Sequence, residues 1–479
     1  MIVPAIAAVF IPAAAGYLAA AAVLKNKAGF LERAGLAFPL GAGFLALLMF
    51  YIGLLRIPFS LYSVLVPLAS ASTYLVYFLN KSDIKFLNFS DGFIREFKEE
   101  GPLKQATAVI LFGWIILKIG SLFFVTATLP VWSPDSWWNW STRAFVFFND
   151  KGLYLHHDDF FAASVGHYAY PPHNPLMQVW QAMMMGGFDR VLVKLWVPAY
   201  TASAALFLYA IARRHAGRLV SGVMVLFFLS SPLMTVHSTE PYADMALGVY
   251  IMFAVGAFWM LTRGEREYAL LCGLLSAQAL FVKLEGMVFV PLLAGVFIFR
   301  FLKERQYRIS PGLPARYFAP FLLLLPYVLF KLYYHIPFSH QYSPYSRPET
   351  AAASGGISFH KESLALIYQY LLHVVDNFNV LPFLAPVLPV VFVISGAHRH
   401  KTAGPLYYAA APVLLYMLAF MTLYIFHDTY ADSLSDGYAF YRNFMTYYPA
   451  LYFIICAALS EIYTHLTVAP KMHNTPELT

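Results

Sequence analysis

Stretches of roughly twenty predominantly apolar residues recur along this chain, each long enough to cross the hydrocarbon core of a bilayer as a single helix. The run "AVILFGWIILKIGSLFF" at 108–124 is representative. In lipid the backbone N–H and C=O groups find no water. A spanning segment must therefore satisfy them within a helix or a closed barrel. The two-residue alternation of barrel strands is absent. The chain is thus expected to be an all-α polytopic membrane protein. Composition agrees: 60% of the 479 residues are hydrophobic and 12% are charged, where soluble domains carry about a quarter charged.

About thirteen spans are read from these runs. They cover 3–24, 34–55, 60–79, 106–128, 191–212, 218–236, 244–262, 268–283, 286–301, 317–335, 379–396, 405–426 and 445–464. The first, "MIVPAIAAVFIPAAAGYLAAAAVL", lacks the basic n-region of a signal peptide and reads as a membrane helix with its N-terminus outside. Cys272 and Cys456 fall in apolar runs and read as buried thiols, with no disulfide framework or zinc motif.

Lys and Arg set the orientation. One set of connections ("KNKAGFLER", 80–105, "RRHAGR", "TRGERE", "RFLKERQYR", "HRHK" and the tail) holds about 21 of the 32 basic residues, which marks the cytoplasmic side. The formal charge of +7 is explained by these loops and calls for no nucleic acid. Segment 80–105 reads either as a helix on the inner membrane surface or as a solvated linker. The opposite, extracytoplasmic side carries three long loops, 129–190, 336–378 and 427–444, rich in aromatic, His and carboxylate residues. Chemistry is expected there.

The first of those loops contains "PDSWWNWSTRAFVFFND". The tryptophans suit a membrane-interface belt, the simplest reading for Trp137 and Trp140. Aromatic faces such as Trp138 also make platforms for sugar rings. A belt has no use for Asp135, which is either a general base or a helix N-cap. In "HHDDFF", Asp158 and Asp159 are the one place where a divalent metal is conceivable, although adjacent residues seldom converge on one ion. "YAYPPHNPL" is stiffened by prolines that hold Tyr170 and His173 in fixed positions. Elsewhere, "HSTEPYADMAL" offers Glu240 and Asp244, and "KLEG" offers Lys283 and Glu285. Ionisable groups so close to lipid are expected to face a cavity and to pair. "DGYAFYRNFMTYYP" sets Arg442 among tyrosines, where its fork of donors suits either a lipid headgroup or a bound phosphate.

In their order, these stretches resemble the GT-C glycosyltransferases, polytopic enzymes that use polyprenyl-phosphate-linked sugars. The resemblance covers about 106–465 and is nearest to the branch with protein O-mannosyltransferases and lipid A aminoarabinose transferase. It implies inverting transfer of a hexosyl or pentosyl group from a polyprenyl-phosphate donor to a hydroxyl of a glycan, lipid or protein. It places the protein in a bacterial inner membrane with its site on the periplasmic face. Asp135 takes the role of general base, and Arg442 and Lys283 hold the donor phosphate. Glu240, Asp244, Glu285, Trp138, Tyr170 and His173 are expected around the cavity. The family commonly has a second acidic residue beside the base; here position 136 is Ser. No cofactor is required and no metal is expected. Residues 1–105 then read as an added N-terminal module, 106–465 as the catalytic domain with 129–190 as its main outer loop, and 466–479 as a cytoplasmic tail. A flippase or transporter of lipid-linked glycan, or an O-antigen ligase or polymerase, is the alternative.

Overall fold

The computed structural model describes residues 1–87, 97–153, 168–214, 216–304, 312–338, 356–379, 384–394, 403–434 and 437–472. Among them, ten helices are long and apolar enough to cross a membrane. Among the described residues, β-type pairing is limited to an isolated bridge between Ile357 and His427. The protein is an α-helical, polytopic membrane protein.

Helices α1 (Ile2–Leu24), α2 (Phe30–Leu54) and α3 (Leu61–Lys81) lead to α4 (Pro102–Thr128). A π-helical turn (Ser136–Ser141) and α5 (Thr142–Asn149) open the main outer loop, and α6 (His173–Met185) closes it. Next come α7 (Val197–Ala212), α8 (Arg218–Leu229), α9 (Pro232–His237), α10 (Ala243–Thr262), α11 (Tyr268–Val282) and α12 (Gly286–Glu304). Then follow α13 (Gly312–Phe318), a 3-10 segment, α14 (Leu325–Tyr333), α15 (Lys361–Leu372) and α16 (Val374–Phe378). The last four are α17 (Leu384–Ile394), α18 (Ala403–Phe426), α19 (Asp428–Ser433) and α20 (Tyr438–Met472).

Some expected spans are not single long helices. The run 218–236 breaks at Ser230–Ser231, where Ser231 caps α9 and Pro232 starts it. The run at 268–283 is a 15-residue helix, about 22 Å long by the α-helical rise. Of 379–396, the described helix covers eleven residues.

Every residue of α10 is buried. A helix apolar all round belongs at the centre of a bundle, and α7, α11, α18 and α20 surround this one. A Cβ on Gly248 would stand 2.9 Å from the Met445 carbonyl oxygen, so only glycine lets α20 come this close. The same device joins α1 to α2. Gly16 and Gly41 meet the facing backbone, Ala37 and Pro12 respectively, with no room for a side chain.

The sequence boundary at residue 105 is not a boundary in packing. Trp180 donates its indole N–H to the Ala8 carbonyl at 2.8 Å, and Gln181 donates to that of Ala5 at 2.9 Å. Tyr250, deep in α10, donates to the Pro39 carbonyl at 2.6 Å. Helices α1 and α2 are thus part of the core, whereas α3 keeps most of its surface exposed. At the end of the bundle away from the main outer loop, buried ion pairs tie elements together. Arg214 pairs with Glu32, and Arg263 with Glu461.

Candidate active site

Five charged side chains from four separate segments form one connected network. Arg442, in the first turns of α20, donates through Nη2 to Asp135 Oδ2 at 2.7 Å and to Asp244 Oδ2 at 3.0 Å. Lys283 donates to Asp244 Oδ1 at 2.7 Å and lies 2.6 Å from Glu285 Oε1. The charges alternate along the chain Asp135–Arg442–Asp244–Lys283–Glu285, which offsets the cost of burying each one.

Topology explains the convergence. Asp135 follows the end of α4, Asp244 opens α10, Lys283 caps the end of α11, and Arg442 lies near the start of α20. All these termini fall at one end of the bundle. Lys283 is in extended backbone (φ −155°, ψ 151°), and the turn that follows brings Glu285 back beside it. Asp244 is fully buried, while Arg442 and Asp135 keep 17% and 19% of their side chains exposed. The two partly exposed members are the ones that reach a cavity.

They face a cavity of about 530 Å³ lined by Trp132, Asp135, Trp138, Asn139, His237 and Arg442 among others. The volume matches small-ligand sites. Asp244, Lys283 and Glu285 stand behind this lining, reached through Arg442.

Asp135 does not cap a helix: its side chain makes no capping bond. Asn139, four residues on, donates to Asp135 Oδ1, and Arg442 occupies Oδ2. The intervening π-helical turn, a form common at functional sites, distributes the tryptophans. Trp138 is 61% exposed on the cavity. Trp140 is buried against Tyr170, with ring centroids 5.0 Å apart, so it is a core residue and not part of an interface belt. Trp137 carries the Arg190 guanidinium over its ring at 4.6 Å.

Two of the expected cavity residues lie elsewhere. Glu240 is fully buried in an ion pair with Lys194 and accepts from the Trp132 backbone N–H at 3.4 Å. Lys194 also donates to the Pro130 carbonyl at 3.1 Å. This pair anchors the strand-like segment that delivers Asp135. It does not line the cavity, because a carboxylate already matched to a buried cation gains nothing by turning outward. His173 is also fully buried, hydrogen-bonded through Nε2 to the Tyr200 hydroxyl at 2.8 Å among Tyr250 and Phe281. Burial pushes its imidazole down to about 3, so it is neutral. Tyr170, by contrast, stands at the network, its ring 5.7 Å from the Lys283 ammonium. Asp158 and Asp159 lie outside the described residues. Among the described residues no group of three or more His, Cys, Asp and Glu could hold a metal ion.

Several neighbours were not singled out from sequence. Asn139 follows Asp135 at a helical i, i+4 interval, a signal that was there to be used. Tyr242 receives Arg442 over its ring at 5.1 Å and hydrogen-bonds Ser133. His237 stacks on Tyr242 with centroids 4.5 Å apart. Burial pushes its imidazole down to about 4, so it too is neutral. The break before α9 carries it to the cavity wall, and no local pattern in the sequence announces that placement. Behind the site, Arg143 and Lys331 are both buried and donate to the consecutive carbonyls of Tyr170 and Ala169, each at 2.8 Å. They fix the loop that presents Tyr170.

Comparison with solved structures finds similarity to ArnT from Cupriavidus metallidurans. With the form bound to undecaprenyl phosphate, the TM-score is 0.46 at 16% sequence identity, covering 72% of this chain and 60% of that one. With the apo form it is 0.42 at 16% identity, covering 73% and 60%. The chain thus spans less than two thirds of the length of these structures. No family model and no curated protein matches it.

Proposed function

We propose that the protein is a membrane glycosyltransferase of the GT-C type. It transfers a sugar from a polyprenyl-phosphate-linked donor to an acceptor hydroxyl at the extracytoplasmic face. The observation that carries this reading is the meeting of Asp135 and Arg442, 307 positions apart in sequence, on the wall of one cavity at one end of the bundle. Such a transfer needs an acid–base group for the acceptor and a cation for the leaving phosphate, and this pair supplies both.

In the reaction, the acceptor oxygen attacks the anomeric carbon from the face opposite the phosphate. Its proton passes to an Asp135 oxygen as the new C–O bond forms. The bond from the anomeric carbon to the phosphate oxygen breaks, and the polyprenyl phosphate leaves with the electron pair beside Arg442. The result is inversion. Trp138 offers a ring face to the sugar. Lys283, held by Asp244 and Glu285, adds positive charge behind Arg442. The connections read as lying at the opposite end hold about 21 of the 32 Lys and Arg residues, which supports an extracytoplasmic placement of this end.

Binding of undecaprenyl phosphate to the full chain in nanodiscs tests the donor class. Arg442→Ala removes a charge-assisted contact worth about 1.5–3 kcal/mol, so affinity should fall roughly 10- to 100-fold. A wild-type chain that does not bind the lipid would overturn the reading.

Transfer is also expected to survive chelation. Each carboxylate of the network already has a cation: Arg442 for Asp135, Arg442 and Lys283 for Asp244, Lys283 for Glu285. A hard divalent ion would have to displace those partners to gain oxygen ligands. Activity lost in EDTA and regained with Mg²⁺ or Mn²⁺ would refute this and turn attention to Asp158 and Asp159.

A further inference from the structure

Each oxygen of the Asp135 carboxylate accepts a hydrogen bond from a side chain. Oδ1 accepts from Asn139 and Oδ2 accepts from Arg442. An acceptor hydroxyl would then have to share an oxygen that already accepts a hydrogen bond. The same Arg442 nitrogen is shared with the fully buried Asp244, which is itself held by Lys283. The guanidinium therefore has two possible anchors, one buried and permanent, the other at the cavity.

We propose that Arg442 is an interlock between the two substrates: it masks Asp135 until an incoming donor phosphate draws it off. The inference rests on the glycosyltransferase reading above. Once Arg442 turns its donors to the phosphate, Oδ2 of Asp135 is released into the cavity and the acceptor hydroxyl can take its place. Asp244 keeps the guanidinium tethered during this exchange. Asn139 is the positioning residue of the device. By holding Oδ1, it fixes the carboxylate plane so that Oδ2 is the oxygen released. Binding is then ordered, donor before acceptor. The order has a chemical use, since an activated base without donor would have nothing to direct it to.

The geometry makes an unusual demand on binding data. If the donor phosphate must break the Asp135–Arg442 pair, removing the carboxylate removes that cost. Asp135→Asn should bind undecaprenyl phosphate several-fold more tightly than wild type. A simple loss of negative charge near the site would give the same sign, and a double-mutant cycle separates the two. In an Arg442→Gln background the interlock predicts no tightening from Asp135→Asn. A general charge effect predicts the same tightening as before. Asn139→Ala should leave lipid affinity unchanged, while the acceptor KM and the pH profile of transfer both shift.

The measurement is lipid affinity for the four chains of the cycle in one nanodisc preparation. Tightening that disappears in the Arg442→Gln background is the expected result. Equal or weaker binding by Asp135→Asn, or tightening that persists without Arg442, overturns the interlock and leaves the donor class standing. Absence of lipid binding to wild type overturns both. If Asp135→Asn fails to fold, initial-rate kinetics of wild type decide. Acceptor binding before donor, or in random order, refutes the proposal.

Discussion

Asp135→Asn is expected to lower turnover by roughly 10²–10⁴-fold, the range over which acid–base catalysis contributes. The substitution preserves shape, and the amide oxygen can still accept from Asn139. It removes only the capacity to take a proton and the ionic contact to Arg442. The loss should therefore appear in kcat. Donor affinity should not fall, which distinguishes a missing base from a damaged site. Arg442→Ala is expected to behave differently: donor binding should weaken, and turnover should also drop because the departing phosphate would lose its cation. Arg442→Lys restores only part of this, since a point charge replaces a planar fork. Near-normal turnover in Asp135→Asn would eliminate it as the base, whatever the fate of the donor class.

Asp244→Ala is expected to cost about 3–5 kcal/mol of stability, the range for removing one partner of a buried ion pair. Asp244 is the one anion shared by Arg442 and Lys283, and none of it is exposed. Without it, Lys283 keeps Glu285 and Arg442 keeps Asp135, but the link between α10, α11 and α20 at the site is gone. Asp244→Asn fills the same space and should lose less. Cys272 and Cys456 are free and buried in the core, so a thiol-reactive dye reports unfolding directly on heating. An Asp244→Ala midpoint equal to wild type would show that the network carries little of the stability.

The membrane class was legible because apolar runs of spanning length leave few alternatives. The site was partly legible because carboxylates and cations near lipid are costly enough to draw the eye. Asp244, Lys283 and Glu285 stand out that way, Asp135 and Arg442 by their aromatic surroundings, and the structure brings the five together. The same rule selected Glu240, which the structure pairs with Lys194 away from the cavity; cost alone cannot tell a reactive ion from an anchor. Lys194 was overlooked because it sits in an otherwise ordinary stretch, "VLVKLW". The tryptophans were harder still. A one-residue difference in turn type decides which ring points inward, and a π-helical turn shifts the phase that ordinary helical spacing would give. Helix breaks also resisted reading. The apolar run 218–236 looks continuous, yet Ser231 and Pro232 interrupt it and so place His237 at the cavity.

The burial of α10 bears on how such a chain can be made. A nascent helix of this kind enters the bilayer surrounded by acyl chains. It then exchanges them for protein as later segments arrive. Its Asp244 would be a bare charge during that interval. Lys283 emerges 39 residues later and supplies a counter-ion early, whereas Arg442 follows 198 residues behind and comes with the last long helix. The carboxylate is thus matched early, but the pairing that includes Asp135 waits until residue 442 has been made. A chain stalled before residue 442 would have the Asp244 charge met by Lys283 but would lack the Asp135–Arg442 pair.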